Sequence, residues 1–179
     1  MPTDVAATSS AGALRRRSRG SGHPAQRAAR RLALTAIFEA DFGQRTPRAA
    51  LERELHAGNH DDEAASLART IVDAVARHRH EIDARIESVA PAYPVVQLAR
   101  IDRALLRSAL GEVLHSATPT RVAIAEWVAL ARTYSGEPAR RLLNGVLGRV
   151  AEEAARTGAD GAEDSPDHDP SVNTGGSSP

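Results

Sequence analysis

The sequence predicts an all-α protein, a compact single-domain helical bundle of about six to seven helices, and three observations carry that expectation. Apolar residues recur at three- and four-residue spacing along most of the span from Pro24 to Arg156. Aromatic residues make up 3% of a chain that is 41% hydrophobic, so the core must be built from Leu, Ile, Val and Ala, a mixture that suits helices better than strands. No stretch alternates apolar and polar residues between hairpin turn signals.

The elements follow in order. Leu34, Ile37 and Phe38 share one face of a first helix from about Pro24 to Phe42, and Gly43 is placed to end it. Thr46-Pro47 opens a short second helix, with Thr as cap and Pro at the first helical position. Asp61-Asp62-Glu63 supplies the acidic start of a third, which carries Leu67, Ile71, Val72 and Val75; Ile82, Ile86 and Val89 continue its stripe after a break. Pro91 and Pro94 interrupt the chain. From Leu98 to Leu114 the pattern is apolar over a wide face, through Ile101, Leu105, Leu106, Ala109, Leu110 and Val113, as in a central helix buried on several sides. Thr118-Pro119 opens the next helix, with Val122, Ile124, Trp127, Val128, Leu130 and Tyr134; Ser135-Gly136 ends it and Glu137-Pro138 begins the last.

A chain of 179 residues has room for one domain with a substantial core. Cysteine is absent, which excludes disulfides and thiolate metal sites and fits a reducing cytoplasm. No apolar run approaches the roughly 20 residues of a membrane span, and no secretory signal is present, so a soluble cytoplasmic protein is expected. The formal net charge of zero conceals a polarity. Arg15, Arg16, Arg17, Arg19, Arg27, Arg30 and Arg31 crowd the first part, whereas Asp160, Glu163, Asp164, Asp167 and Asp169 lie in a stretch without Lys or Arg. This divides the chain into a disordered basic arm (1–22), a helical domain (23–156) and a disordered acidic tail (157–179), and it suggests a nucleic-acid partner for the basic end.

No phosphate-binding glycine loop, nucleophile elbow or His-Glu-x-x-His pair occurs, so neither catalysis nor a cofactor is expected. His56 and His60 have a spacing that suits two metal ligands on a helix, but Gly58 between them favours two loop histidines. His78 and His80 point to different sides of a helix. No metal site is therefore expected. The chemistry lies with arginine: Arg27, Arg30 and Arg31 are spaced to line one edge of the first helix and to pair with phosphates, and the Arg15 to Arg19 arm extends their field. In Arg140-Arg141-Leu142-Leu143-Asn144-Gly145-Val146-Leu147-Gly148, an Asn-Gly pair sits inside an apolar helical pattern. Both are poor helix-interior residues, which suggests a close backbone approach or a contact through the Asn amide, unless the pair simply caps a helix end.

That run, with Arg30-Arg31-Leu32-Ala33-Leu34-Thr35-Ala36-Ile37-Phe38-Glu39-Ala40-Asp41, Arg100-Ile101-Asp102-Arg103-Ala104-Leu105-Leu106-Arg107 and Val122-Ala123-Ile124-Ala125-Glu126, closely resembles the NusB family of bacterial transcription antitermination factors, over residues 24–155. The resemblance implies an all-helical protein that pairs with the ribosomal protein NusE and binds a short single-stranded RNA, boxA. The complex joins RNA polymerase and other Nus factors to suppress Rho-dependent termination, chiefly in ribosomal RNA operons. By motif position, Arg27 and Arg30 fall on the RNA-binding first helix and Arg141 on the basic position before Asn-Gly; with Arg31, Arg140 and Asn144 they form the candidate RNA set. Phe38 and Asp102 fall on the NusE surface. Self-association of the free protein is left open.

Asp102 has two readings, a helix-start carboxylate or a partner contact; Leu98 and Ile101 place the helix start before it and favour the partner. Departures from the family pattern are Gly111 for a frequent Tyr, Ala125 for Asn, Trp127 for Ala, and Pro138 where an acidic residue occurs. Two rival functions are a NusB-like RNA-binding domain of the kind found in ribosomal RNA cytosine methyltransferases and a helical interaction module without RNA. The former would be expected to carry a cofactor-binding domain after the helical one.

Overall fold

In a computed structural model, which describes residues 22–160, the chain folds into six α-helices and one 3₁₀ turn, with no strand among those residues. The helices are α1 (Gly22–Ala40), α2 (Pro47–Ala57), α3 (Asp62–Val89), α4 (Arg100–His115), α5 (Thr120–Tyr134) and α6 (Glu137–Asp160), with the 3₁₀ turn at Val95–Gln97. The expected arm falls, but for Gly22, outside the described residues, as does the acidic tail beyond 160; α6 itself continues past the expected limit at 156.

The local signals act as their chemistry requires. Gly43, with φ +77°, reverses the chain after α1, a conformation that a Cβ strains. Thr46 Oγ1 accepts from Ala49 N–H at 3.2 Å and Pro47 opens α2; Asp61 accepts from Glu63 N–H at 2.8 Å and caps α3. The break foreseen in α3 is a kink at His78 (φ −112°, ψ 20°), where two helical segments meet. Three boundaries differ from the sequence reading. Phe42 lies in the turn after α1; Leu98 caps the 3₁₀ turn, so α4 starts at Arg100; and Pro119, rather than Thr118, occupies the N-cap of α5. Leu114, Val122 and Tyr134, read on apolar faces, are exposed, each in the first or last turn of its helix.

α4 is the axis of the bundle. Every residue from Ala104 to Glu112 is buried, with Leu105, Leu106, Ala109 and Leu110 facing Ile71, Val72, Ile82 and Ile86 of α3, Ala33 and Ile37 of α1, Trp127 of α5, and Leu143 and Leu147 of α6 in one core. Gly111 stands at the tightest crossing: a Cβ there would lie 2.8 Å from Val75 Cγ2, so α3 and α4 approach closely only because position 111 has no side chain.

A helix buried all round must also settle its polar side chains. Arg30 of α1 donates from Nε and Nη2 to the two oxygens of Glu112 at 2.9 and 2.6 Å, and Trp127 Nε1 donates to Glu112 Oε2 at 2.7 Å. All three side chains are fully buried. One turn earlier on α4, Arg107 pairs with Asp83 of α3 at 2.8 Å and with Asp41 after α1 at 3.1 Å, and Arg103 also reaches Asp41 at 2.8 Å. Burial, and the stacked His78 ring to a smaller extent, hold the His115 imidazole below its ordinary pKa.

Removing one side of a buried ion pair leaves an uncompensated charge and costs about 3–5 kcal/mol, whereas replacing both sides by apolar groups of similar volume is close to neutral. E112A is therefore expected to lose about 3–5 kcal/mol in urea unfolding, and the double variant R30M/E112L to recover most of it. A loss below about 1 kcal/mol for E112A would show that the pair does not hold the bundle.

Candidate RNA and partner interface

The structure divides the arginines of α1. Arg27 is exposed and reaches Glu126 of α5 at 3.0 Å, a contact that raises the Arg27 pKa. Arg31, one turn on, is exposed and has no ion pair among the described residues. Arg30 corrects the sequence reading: its guanidinium is sealed against Glu112 and cannot meet a phosphate. Helical spacing explains the split, since positions 27 and 31 share a face and position 30 lies about 100° from 31, turned into the core. Arg15 to Arg19 lie outside the described residues.

On α6, Arg141 is exposed, Arg140 is half-buried, and both donate to Glu137 in the first turn. Arg140, followed by Arg141, holds the Glu137 carboxyl below the usual carboxylate range. The Asn144-Gly145 pair does lie inside the helix and both residues are exposed. Among the described residues the expected backbone approach is not made, because a Cβ on Gly145 would meet no atom of theirs within 4 Å. The helix thus carries a residue that costs it about 1 kcal/mol and leaves open space above it.

That space belongs to a groove of about 900 Å³ between the loop after α3 and the start of α6, lined by Tyr93, Asp102, Pro138, Arg141, Gly145 and Arg149 among others. Asp102 is the third residue of α4, inside its first turn and not its cap, and it accepts from Ser135 Oγ at 2.5 Å, which ties α4 to the end of α5. Arg149 closes the far side by donating to Val89 O at 2.5 Å. One groove therefore joins Asp102, expected to meet a protein, to Arg141, expected to meet RNA.

Phe38 lies elsewhere. Its ring is edge-on to Phe42 at 5.3 Å, and Arg100 sits 4.3 Å above the half-exposed Phe42 ring. The structure brings Phe42 and Arg100 together at the start of α4, and not Phe38 and Asp102. Tyr93, Arg149, Phe42 and Arg100 were missed in the sequence. Two signals were present: Tyr93 and Phe42 are two of only five aromatics, and both stand in segments bounded by Pro or Gly, where an apolar ring has little chance of burial. His56 and His60 turn to separate partners, the carbonyls of Glu52 and Glu54.

The sequence model of the NusB family matches residues 27–152. A transcription antitermination protein NusB from Symbiobacterium thermophilum is 37% identical over 153 residues, which cover 80% of this chain and 99% of that protein. A second, from Salinispora arenicola, is 37% identical over 74% of this chain and 99% of its own length. Among solved structures, NusB of T. maritima aligns with a TM-score of 0.65 at 27% identity, covering 72% of this chain and 91% of that one. A complex of the antitermination factors NusB and NusE with dsRNA aligns at 0.63 and 26%, covering 73% of this chain and 98% of that one. With the fold, the matched span and this identity in agreement, the chain belongs to the NusB family.

Proposed function

We propose that this chain is a cytoplasmic transcription antitermination factor that binds boxA-type single-stranded RNA together with NusE. It then joins RNA polymerase and other Nus factors to suppress Rho-dependent termination, chiefly in ribosomal RNA operons. The observation that carries the reading is the exposed Asn144-Gly145 step, whose glycine lies uncovered beside Arg141 in the groove. A helix gives up propensity where another molecule's backbone must come close, and a guanidinium next to it matches a phosphate. Tyr93, half-exposed in the same groove, offers a face on which an unstacked base can lie, as single-stranded recognition requires. The solved NusB–NusE–dsRNA complex, related at 26% identity, supports RNA and NusE as the partners.

The RNA contacts in this reading are Arg31, the exposed Arg141 and Asn144, with Arg27 and the half-buried Arg140 as secondary contacts; Arg27 must first leave Glu126, and Arg140 and Arg141 must first leave Glu137. On this reading phosphate neutralisation supplies much of the RNA affinity, and NusE raises it by completing the groove at Asp102, with Phe38 a separate contact.

Two expected outcomes test the assignment. G145A should stabilise the fold by about 0.5–1 kcal/mol, because nothing opposes a methyl group there, while G145Q should weaken boxA binding in the presence of NusE more than about tenfold. Urea unfolding beside RNA titration reads both, and wild-type affinity in G145Q would remove the groove from the RNA path. R31A/R141A should weaken RNA binding and flatten its salt dependence by roughly two ions without moving the melting temperature, since both charges are exposed. For the partner, D102K should abolish NusE binding in calorimetric titration; unchanged binding would confine Asp102 to its contact with Ser135.

A further inference from the structure

The bend of α3 brings together residues that no part of the interface uses. His78, at the bend, and His115, the last residue of α4, stack with ring centroids 3.9 Å apart and planes 10° from parallel. Glu81, one turn beyond His78, accepts from His78 Nδ1–H at 3.0 Å. One donor atom from each of the three lies within 4.8 Å of the others, the one such group among the described residues. Sequence spacing concealed it, because His78 pairs across helices with His115 and not along α3 with His80.

We propose that His78, His115 and Glu81 bind a divalent transition-metal ion of the zinc class, which fastens the bend of α3 to the end of α4. Two nitrogens and a carboxylate form a three-ligand set that leaves a fourth position to water, and imidazole selects zinc-like ions over magnesium or calcium. The stacked rings hold their in-plane lone pairs parallel, so the half-exposed His78 ring must tilt away from His115 for one ion to meet a nitrogen of each. His115 Nε2 is buried and has no hydrogen-bond partner, the state of a donor that awaits one. The ion would sit at the C-terminal end of α4, where the final carbonyls favour positive charge. Ligand distances of about 2.0–2.2 Å set the donors roughly 3.4 Å apart, a small rearrangement of a group that already lies within 4.8 Å. Glu81, 62% exposed, and His78, 39% exposed, have the freedom for it and open the site to entry from solvent.

Gly111 makes the cluster possible. Its missing side chain lets α4 reach Val75 of α3, and the two histidines follow one turn along each helix, three residues after Val75 and four after Gly111. A larger residue at 111 would separate the helices and the rings.

The test is calorimetric titration of the full-length, untagged chain with zinc chloride at neutral pH, with cobalt chloride as a visible-absorption probe and magnesium chloride as control. The expected result is one zinc or cobalt ion per chain, cobalt absorption of tetrahedral intensity, and no uptake of magnesium. H78A and H115A should each lose more than about tenfold in affinity, and E81Q should weaken binding less, while H56A/H60A should bind as wild type. Zinc should raise the melting temperature of wild type and not of H78A, a substitution on the exposed side that leaves the core intact. No saturable zinc uptake by wild type, or unchanged uptake by H78A/H115A, would overturn the proposal.

Discussion

The carboxylate of Glu112 is the point on which the bundle depends. It stands on the helix that every side of the core touches, and it takes both hydrogen bonds of the Arg30 fork and that of the Trp127 indole. Three helices, α1, α4 and α5, are thereby fixed in rotation as well as in distance, because a bidentate pair and an indole tolerate little turning. Such an arrangement adds little net stability over an apolar one; its effect is to penalise every alternative packing that leaves one member alone. Arg107 does the same for α3 and the end of α1 through Asp83 and Asp41.

This constraint also shapes the outer surface. With Arg30 drawn inward, α1 presents Arg27 and Arg31, one turn apart, to solvent, and Glu126 of α5 holds the first of them. The start of α4 is held by Asp102 to Ser135 and the end of α3 by Val89 to Arg149, so the groove between them stands on fixed walls. For the proposed docking of a protein and an RNA such support matters, since less order has to be imposed on binding.

Two glycines show how differently one residue type serves the fold. Gly111 is buried against Val75, and its lack of a side chain sets the α3–α4 distance. Gly145 faces open space, and its lack of a side chain serves no packing among the described residues. In sequence both are glycines within apolar helical patterns. Only what lies across the gap, a valine in one case and open space in the other, tells a glycine needed for packing from one that is not.

The sequence by itself determined the helical class, the order of the elements and most of their ends, because caps, prolines and apolar period are local: Thr46-Pro47, Asp61 and Gly43 act within one turn. The motif blocks likewise marked the family and pointed to Asp102 and Arg141. What the sequence left undecided was which way each charge faces. Arg27, Arg30 and Arg31 are equivalent as letters, and Arg30 became a core residue only because Glu112, 82 positions away, occupies the facing side of α4. The meeting of Asp102 with Arg141 in one groove, and of His78 with His115 across two helices, is of the same kind. Spacing along a helix records neighbours within one turn, whereas contacts between helices depend on their crossing, which the whole core sets at once.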